Sequence, residues 1–332
     1  MLLVELYGES AKQNIGPEIV GIDEWLNTSS PITVTGQRGK VVIVDFWTYS
    51  CINCLRTIPY LNAWYEKYHD KGLIIIGIHT PEFSFERQYN RVKRAVDSLK
   101  INYPIGLDNN NRTWDAFGNH YWPHKYFFGP NGKVRYELIG EGRYEEAEEE
   151  IRELLSEAGA EIKRNSTSLR IGEEIQFQKI KTPEIFFGTF HGGFIGNPHG
   201  ILSNSEREYL IPDHLEENVF YLAGHWKIKE EFAIHDRNER GKIILRYEAK
   251  SVNWVVGTDH PESWVEIMLD SHYLKPEEAG EDVIIDSVGK SKVLISQKKL
   301  YRIINNQEGY GKHILSLTIS DPDIECYSFT FG

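Results

Sequence analysis

Cysteine is scarce in this chain, with three among 332 residues, and methionine scarcer still, with two. Three cysteines cannot form the dense disulfide framework on which small secreted domains depend, so the fold has to rest on buried apolar side chains. Hydrophobic residues make up 40% and charged residues 26%, a composition that fills a core and excludes intrinsic disorder. Long apolar runs are missing as well, and no stretch approaches the roughly 18 residues that a membrane-spanning helix requires. Positive charge is in deficit: Lys and Arg number 37 against 49 Asp and Glu, a formal net charge of −12. That balance argues against nucleic acid or an anionic membrane surface as partner. The opening Met1-Leu2-Leu3-Val4-Glu5-Leu6 lacks a basic segment, and its apolar run is too short for a signal peptide. As written, the chain is expected to be cytoplasmic. There is no internal repeat or low-complexity tract, and the length suits two domains.

Two of the three cysteines stand together. An apolar strand, Val41 to Trp47, runs into Thr48-Tyr49-Ser50-Cys51-Ile52-Asn53-Cys54, and helical spacing follows through Leu55, Ile58, Leu61, Tyr65 and Tyr68. A strand that delivers a C-x-x-C to a helix N-terminus makes a dithiol–disulfide site. The partial positive charge and free N–H groups at that end favour thiolate over thiol. Cys51 is then the nucleophile, and Cys54, one turn on, closes the disulfide and releases a bound partner. The competing interpretation is half of a zinc site, which needs four ligands. The remaining cysteine, Cys326, is far away, and Pro123 breaks the helix that a His120/His124 pair would occupy. Redox chemistry is favoured, with no metal and no cofactor.

The run Ile43-Val44-Asp45-Phe46-Trp47 before the C-x-x-C resembles the active-site strand and loop of thioredoxin-fold proteins. From about Gly21 to Leu155 the chain is similar to the TlpA-like and redoxin branch of that superfamily. The resemblance implies a buried carboxylate at Asp45, a base that helps deprotonate Cys54. It also implies a helix-kinking proline at Pro59 and a cis-proline at Pro123, whose neighbour Trp122 offers backbone to an incoming peptide. Trp47, Tyr49 and Trp122 are expected to ring the site with apolar surface, Tyr49, Trp122 and Pro123 forming the substrate-binding set. His79, at the end of the strand from Leu73, is more simply structural.

One position departs from the pattern: Ser50 stands where thioredoxin and most relatives carry tryptophan. In that form the loop resembles the soluble C-terminal half of DipZ-type membrane redox proteins associated with cytochrome c biogenesis. Thioredoxin-like domains attached to NHL repeats carry a similar loop. This resemblance implies an extracytoplasmic setting if the chain is a trimmed piece, and a membrane thiol-redox electron donor as partner.

Periodicity is lost from Gly159 to Ser168, which places a linker over 159–172 between a thioredoxin-like domain, 1–158, and a second domain, 173–332. Short strands with turns fill the latter, among them Val219 to Ala223, Glu231 to His235, Lys242 to Ala249 and Glu325 to Phe331, the mark of a jelly-roll β-sandwich. Thr182-Pro183-Glu184, Leu222-Ala223-Gly224-His225-Trp226 and Tyr327-Ser328-Phe329-Thr330-Phe331-Gly332 resemble the second domain of the DipZ soluble region, similar to a carbohydrate-binding module. Trp226, Trp254 and Trp264 could stack on a sugar ligand, although tryptophans in sandwich strands usually lie in the core. The loop from His191 to Gly200 has two histidines without carboxylates, a weak metal signal. Cys326 is expected on a strand face with Ser328 and Thr330, a bystander thiol opposite Tyr327, Phe329 and Phe331.

The expected function is thiol–disulfide exchange with protein partners, in the reducing direction because Ile52 and Asn53 offer no cation to a thiolate. The alternatives are a redoxin-type thiol peroxidase, for which Thr48 is placed but Val44 replaces the required proline, and a binding protein in which the sandwich carries the function.

Overall fold

The computed structural model describes residues 16–162, 171, 175–201, 203–235, 237–259 and 262–332. The chain divides into two units, Met1–Ile171 and Gly172–Gly332. Much of the expected linker, residues 163–170 and 172, lies outside the described residues.

The first unit is built on six strands: β1 (Glu24–Leu26), β2 (Val41–Trp47), β3 (Leu73–His79), β4 (Ile105–Leu107), β5 (His124–Phe128) and β6 (Val134–Ile139). Every residue of β2 is buried, the pattern of a central strand covered on both faces. It lies parallel to β3 and antiparallel to β5 in a sheet of order β1-β4-β3-β2-β5-β6. Four helices complete the unit: α1 (Ile52–Tyr68), α2 (Tyr89–Ser98), α3 (Arg112–Ala116) and α4 (Tyr144–Glu157). In α1, Cys54, Ile58, Leu61, Trp64 and Tyr68 recur at three or four residues and are buried, so one stripe of the helix is apolar. Pro59 lies inside this helix. On α4, Ala147, Ile151, Leu154 and Leu155 are buried in the same way. This is a thioredoxin-like fold, as expected, and it sets the end of β2 and the start of α1 side by side.

Beyond a short 3-10 turn, Phe177–Lys179, the described residues of the second unit form strands: β7 (Ile185–Phe186), β8 (Glu206–Tyr209), β9 (Phe220–Ile228), β10 (Ala233–His235), β11 (Gly241–Ala249), β12 (Ser251–Gly257), β13 (Ser263–Leu269), β14 (His272–Tyr273), β15 (Val283–Ile285), β16 (Ser291–Ile295), β17 (Lys299–Asn305), β18 (Gly311–Ile319) and β19 (Ile324–Phe331). The strand order is β15-β16-β13-β18-β11-β9-β10-β19-β12-β17. Strand β9 belongs to both layers of this β-sandwich. Phe220 to Ala223 pair with β11, whereas Gly224 to Lys227 pair with β8, and Lys227 and Ile228 with β10. The crossing point is Gly224, at φ 87°. A Cβ there would lie 3.0 Å from the Arg240 carbonyl oxygen, so only glycine fits without adjustment. Residues of both layers, among them Leu245, Ile267, Leu317, Trp254 and Phe329, fill one core.

Two expectations for this unit are corrected. Cys326 does not share a polar face with Ser328 and Thr330; it lies in the core with Phe329 and Phe331. The strand register slips between Val255 and Val256, which pair with Ser328 and Cys326, leaving Tyr327 as an extra residue. Such a bulge reverses the inward–outward alternation beyond it. Trp226 and Trp254 are fully buried and cannot stack on a sugar; of the three tryptophans only Trp264 is exposed, at 43%. Among the described residues no helix is long and apolar enough to cross a membrane, and no cluster of His, Cys, Asp and Glu could hold a metal ion.

Candidate active site

Cys51 is the N-cap of α1: its backbone is extended while Ile52 begins the helix, and its Sγ accepts the Cys54 N–H at 3.3 Å. A capping sulfur is thereby aimed at the donors of the first turn, where negative charge is favoured. The Cys51 thiol also faces the Trp122 carbonyl oxygen at 3.8 Å. The Trp122–Pro123 peptide bond is cis. Cys51 is partly exposed and Cys54 buried, which fits an attacking sulfur at the surface and a second one behind it. Burial pushes the Cys54 thiol well above the ordinary thiol range, with Cys51 and Asp45 adding to the effect.

Asp45, on β2, is 1% exposed, and its charge reaches the Cys54 thiol. Burial raises its carboxyl to about 7, and only the Lys125 ammonium opposes this. Lys125 is its cross-strand partner on β5, with Nζ 3.8 Å from the carboxylate and 3.2 Å from the Gly140 carbonyl oxygen. Lys125 is itself fully buried, and burial lowers its affinity for the proton despite Asp45 and both thiols. Desolvation therefore drives both members of the pair toward their neutral forms, and 3.8 Å is too long for a hydrogen bond between them. The arrangement leaves a carboxyl able to take or give a proton near neutral pH.

The loop before Cys51 is tied down from below. Glu86 lies in a short 3-10 turn, Ser84–Arg87, and is completely buried. It accepts hydrogen bonds from the Thr48 hydroxyl, from the Ser50 hydroxyl at 2.5 Å, and from the backbone N–H groups of Glu82 and Phe83 at 2.7 and 3.0 Å. Burial raises its carboxyl above the usual range, with these donors acting in the opposite direction. His79 is also fully buried, 3.4 Å from the Thr48 hydroxyl, and burial drops it to about 3, so its ring is neutral. Tyr49 stacks on that ring, with centroids 5.5 Å apart, and Trp47 meets it edge-on at 5.2 Å.

The expected site residues are thus distributed over two zones. Cys51, Cys54 and Asp45 come together with Trp122 and Pro123. Tyr49 does not line the rim: it is 6% exposed, packed under the loop against His79 and Phe85. The exposed aromatic beside the dithiol segment's neighbour is Tyr121, at 52%, next to Trp122. Trp122 itself is half-buried, its ring 4.2 Å from that of Trp114 and its Nε1–H donating to the Thr80 carbonyl oxygen. Sequence reasoning missed Lys125 and Glu86. Lys125 had a signal, since a lysine inside the apolar strand His124–Phe128 needs a counter-charge on a neighbouring strand. Glu86 had none beyond its place among phenylalanines.

The chain is similar to several known proteins. Residues 24–137 match the AhpC/TSA family, and residues 182–332 match the thioredoxin like C-terminal domain. Protein DipZ of Mycobacterium tuberculosis is 40% identical over 248 residues, covering 73% of this chain and 35% of that protein. The human NHL repeat-containing protein 2 is 41% identical over 121 residues, 36% of this chain and 17% of its own length. The thiol-disulfide oxidoreductase YkuV of Bacillus subtilis is 29% identical over 142 residues, 42% of this chain and 94% of its own length. The chain therefore spans about a third of the DipZ protein it matches.

Proposed function

We propose that this chain, which joins a thioredoxin-like domain carrying a C-x-x-C dithiol to a β-sandwich, is a thiol–disulfide oxidoreductase acting on protein partners in the reducing direction. The observation that carries the proposal is the placement of Cys51 as the N-cap of α1, its sulfur 3.3 Å from the Cys54 N–H and 3.8 Å from the Trp122 carbonyl oxygen. Cys51, as thiolate, attacks one sulfur of a substrate disulfide; a mixed disulfide forms and the other substrate sulfur leaves as thiolate. Cys54 loses its proton to Asp45 and attacks Cys51 Sγ. The Cys51–Cys54 disulfide closes, the second substrate sulfur leaves, and the substrate has gained two electrons. Asp45 suits this task because a carboxyl at about 7 is half ionised when the thiol must be deprotonated.

Trp122 and Pro123 dock the substrate backbone beside Cys51, with exposed Tyr121 widening the apolar contact in the place expected for Tyr49. The sandwich recruits or orients the protein partner and contributes no chemistry. Cys326, in its core and fully buried, takes no part in exchange. We assign the domains as 1–158 and 173–332 with a linker between. An electron donor is required to return the disulfide to the dithiol, and a membrane thiol-redox protein fits that role.

The test is a pair of substitutions. Cys51→Ser is expected to abolish reduction of a protein disulfide, and Cys54→Ser to accumulate a mixed disulfide visible on a non-reducing gel. Turnover retained by both variants would overturn the assignment. Equilibration of the wild type with defined thiol buffers is expected to give a potential near about −270 mV; a value near about −120 mV would reverse the direction of electron flow.

A further inference from the structure

Ser50 stands immediately before the nucleophilic cysteine, and its hydroxyl is used entirely inside the protein. It donates to Glu86 at 2.5 Å, as does the Thr48 hydroxyl. Both hydroxyls bind the same carboxylate oxygen, Oε1. The other oxygen, Oε2, accepts the backbone N–H groups of Glu82 and Phe83. Four donors thus converge on one carboxylate that is 0% exposed, and none of them belongs to a basic side chain. A structural role would be met by a neutral side chain at far smaller desolvation cost. The loop it holds is short: Thr48, Tyr49 and Ser50 link the last residue of β2 to Cys51, and the Cys51 N–H reaches back to the Thr48 carbonyl oxygen at 3.4 Å. Glu86 grips this link at the third residue before Cys51 and at the residue next to it. The turn bearing Glu86 begins beyond Thr80, whose N–H donates to the Trp47 carbonyl oxygen and whose own carbonyl receives the Trp122 Nε1–H.

We propose that Glu86 is a positioning residue for Cys51: through Thr48 and Ser50 it fixes the sulfur against the first turn of α1, and its buried negative charge opposes the thiolate and so keeps the Cys51–Cys54 pair reducing. The inference rests on the disulfide-exchange function proposed above. Its electrostatic half follows from the low polarity of the surroundings, where a charge acts over a longer range than in water. The charge destabilises the reduced, thiolate-bearing form and leaves the uncharged disulfide unaffected. Lys125 and Asp45 pair with each other and are not among the hydrogen-bond partners of Glu86.

Glu86→Gln keeps the shape. Its carbonyl oxygen can still accept the Glu82 and Phe83 N–H groups, while the two hydroxyls rotate to accept from the amide. The measurements use the full chain. The equilibrium constant with glutathione at fixed pH is expected to move about tenfold toward the dithiol in Glu86→Gln, roughly 30 mV less negative. Thr48→Val is expected to slow reduction of oxidised glutathione about tenfold, and Thr48→Ser, which restores the hydroxyl, to stay within about twofold of the wild type. An equilibrium constant in Glu86→Gln within twofold of the wild type overturns the electrostatic role. Equal rates in Thr48→Val and Thr48→Ser overturn the positioning role, and that pair decides the matter if Glu86→Gln fails to fold by circular dichroism. Absence of exchange in the wild type would instead defeat the proposed function itself.

Discussion

Asp45 is buried at a cost that the fold bears at high pH, and that cost can be measured. Its carboxyl titrates at about 7 in the fold and near about 3.9 in an unfolded chain. A group whose folded value is raised favours folding in its protonated form. Its contribution is intact below about pH 4 and is lost as the pH rises through about 7. Asp45→Asn removes the ionisation, so the variant should match the wild type in urea unfolding at pH 4 and exceed it at pH 8. A shift of about three units corresponds to roughly 4 kcal/mol, and on the order of 2 to 4 is expected because Lys125 loses its counter-ion. Equal stability at both pH values would mean that Asp45 is not the buried acid described here. The same variant should resolve mixed disulfides more slowly, since Cys54 then lacks its base. Asp45 was legible through the resemblance to thioredoxin-fold proteins, which implies a buried carboxylate at that position of the strand before Cys51. Lys125 was legible only in part: the misfit of a lysine in an apolar strand is visible, but its partner depends on the register of β2 against β5. Glu86 was not legible. Its contacts to Thr48 and Ser50 span 38 and 36 residues, and nothing in a one-dimensional pattern specifies how a 3-10 turn is folded against a loop.

At the scale of elements, the strand–loop–helix unit around the cysteines follows directly from a continuous apolar run and period-3.6 patterning, and the observed β2 and α1 occupy the expected places. The sandwich was less transparent, for a reason that β9 illustrates. The expected strand, Val219 to Ala223, stops one residue before Gly224. The chain instead continues to Ile228, turning at Gly224 from one layer into the other. Likewise the bulge at Tyr327 altered which side of β19 faces the core, a shift that strict alternation cannot anticipate. Gly224 thus carries a specific requirement. Gly224→Ala forces a side chain to adopt φ 87° with its Cβ 3.0 Å from a backbone oxygen. A loss of about 1–3 kcal/mol of sandwich stability is expected, read as a lower urea midpoint by tryptophan fluorescence, since Trp226 lies two residues away and is buried. Gly289→Ala, in the same unit at φ 80° with no atom within 4 Å of the added Cβ, is the control that separates backbone strain from crowding.

At the scale of the molecule, each unit has its own apolar interior. Val42, Val44, Phe46, Ile76 and Phe128 belong to one core, and Leu245, Val265, Trp254 and Phe329 to another. The groups assigned to the chemistry, Cys51, Cys54, Asp45, Lys125 and Glu86, all lie in the first unit, and the thiol of the second is sealed in its core. YkuV, a thiol-disulfide oxidoreductase by name, is matched over 94% of its length by only 42% of this chain, so an independent protein of about the first unit's size exists among the relatives. A chain ending at Ile171 is therefore expected to fold and to reduce a small disulfide such as oxidised glutathione within about threefold of the full-length rate. Small disulfides need no recruitment, so any contribution of the sandwich should appear only with protein substrates, as a higher KM in the shortened chain at unchanged kcat. A loss of more than tenfold with glutathione, in a piece shown by circular dichroism to be folded, would place part of the exchange chemistry in the sandwich. A sandwich that orients partners predicts the opposite split: the chemistry is complete in the first unit, and selectivity among protein disulfides falls when the second is removed.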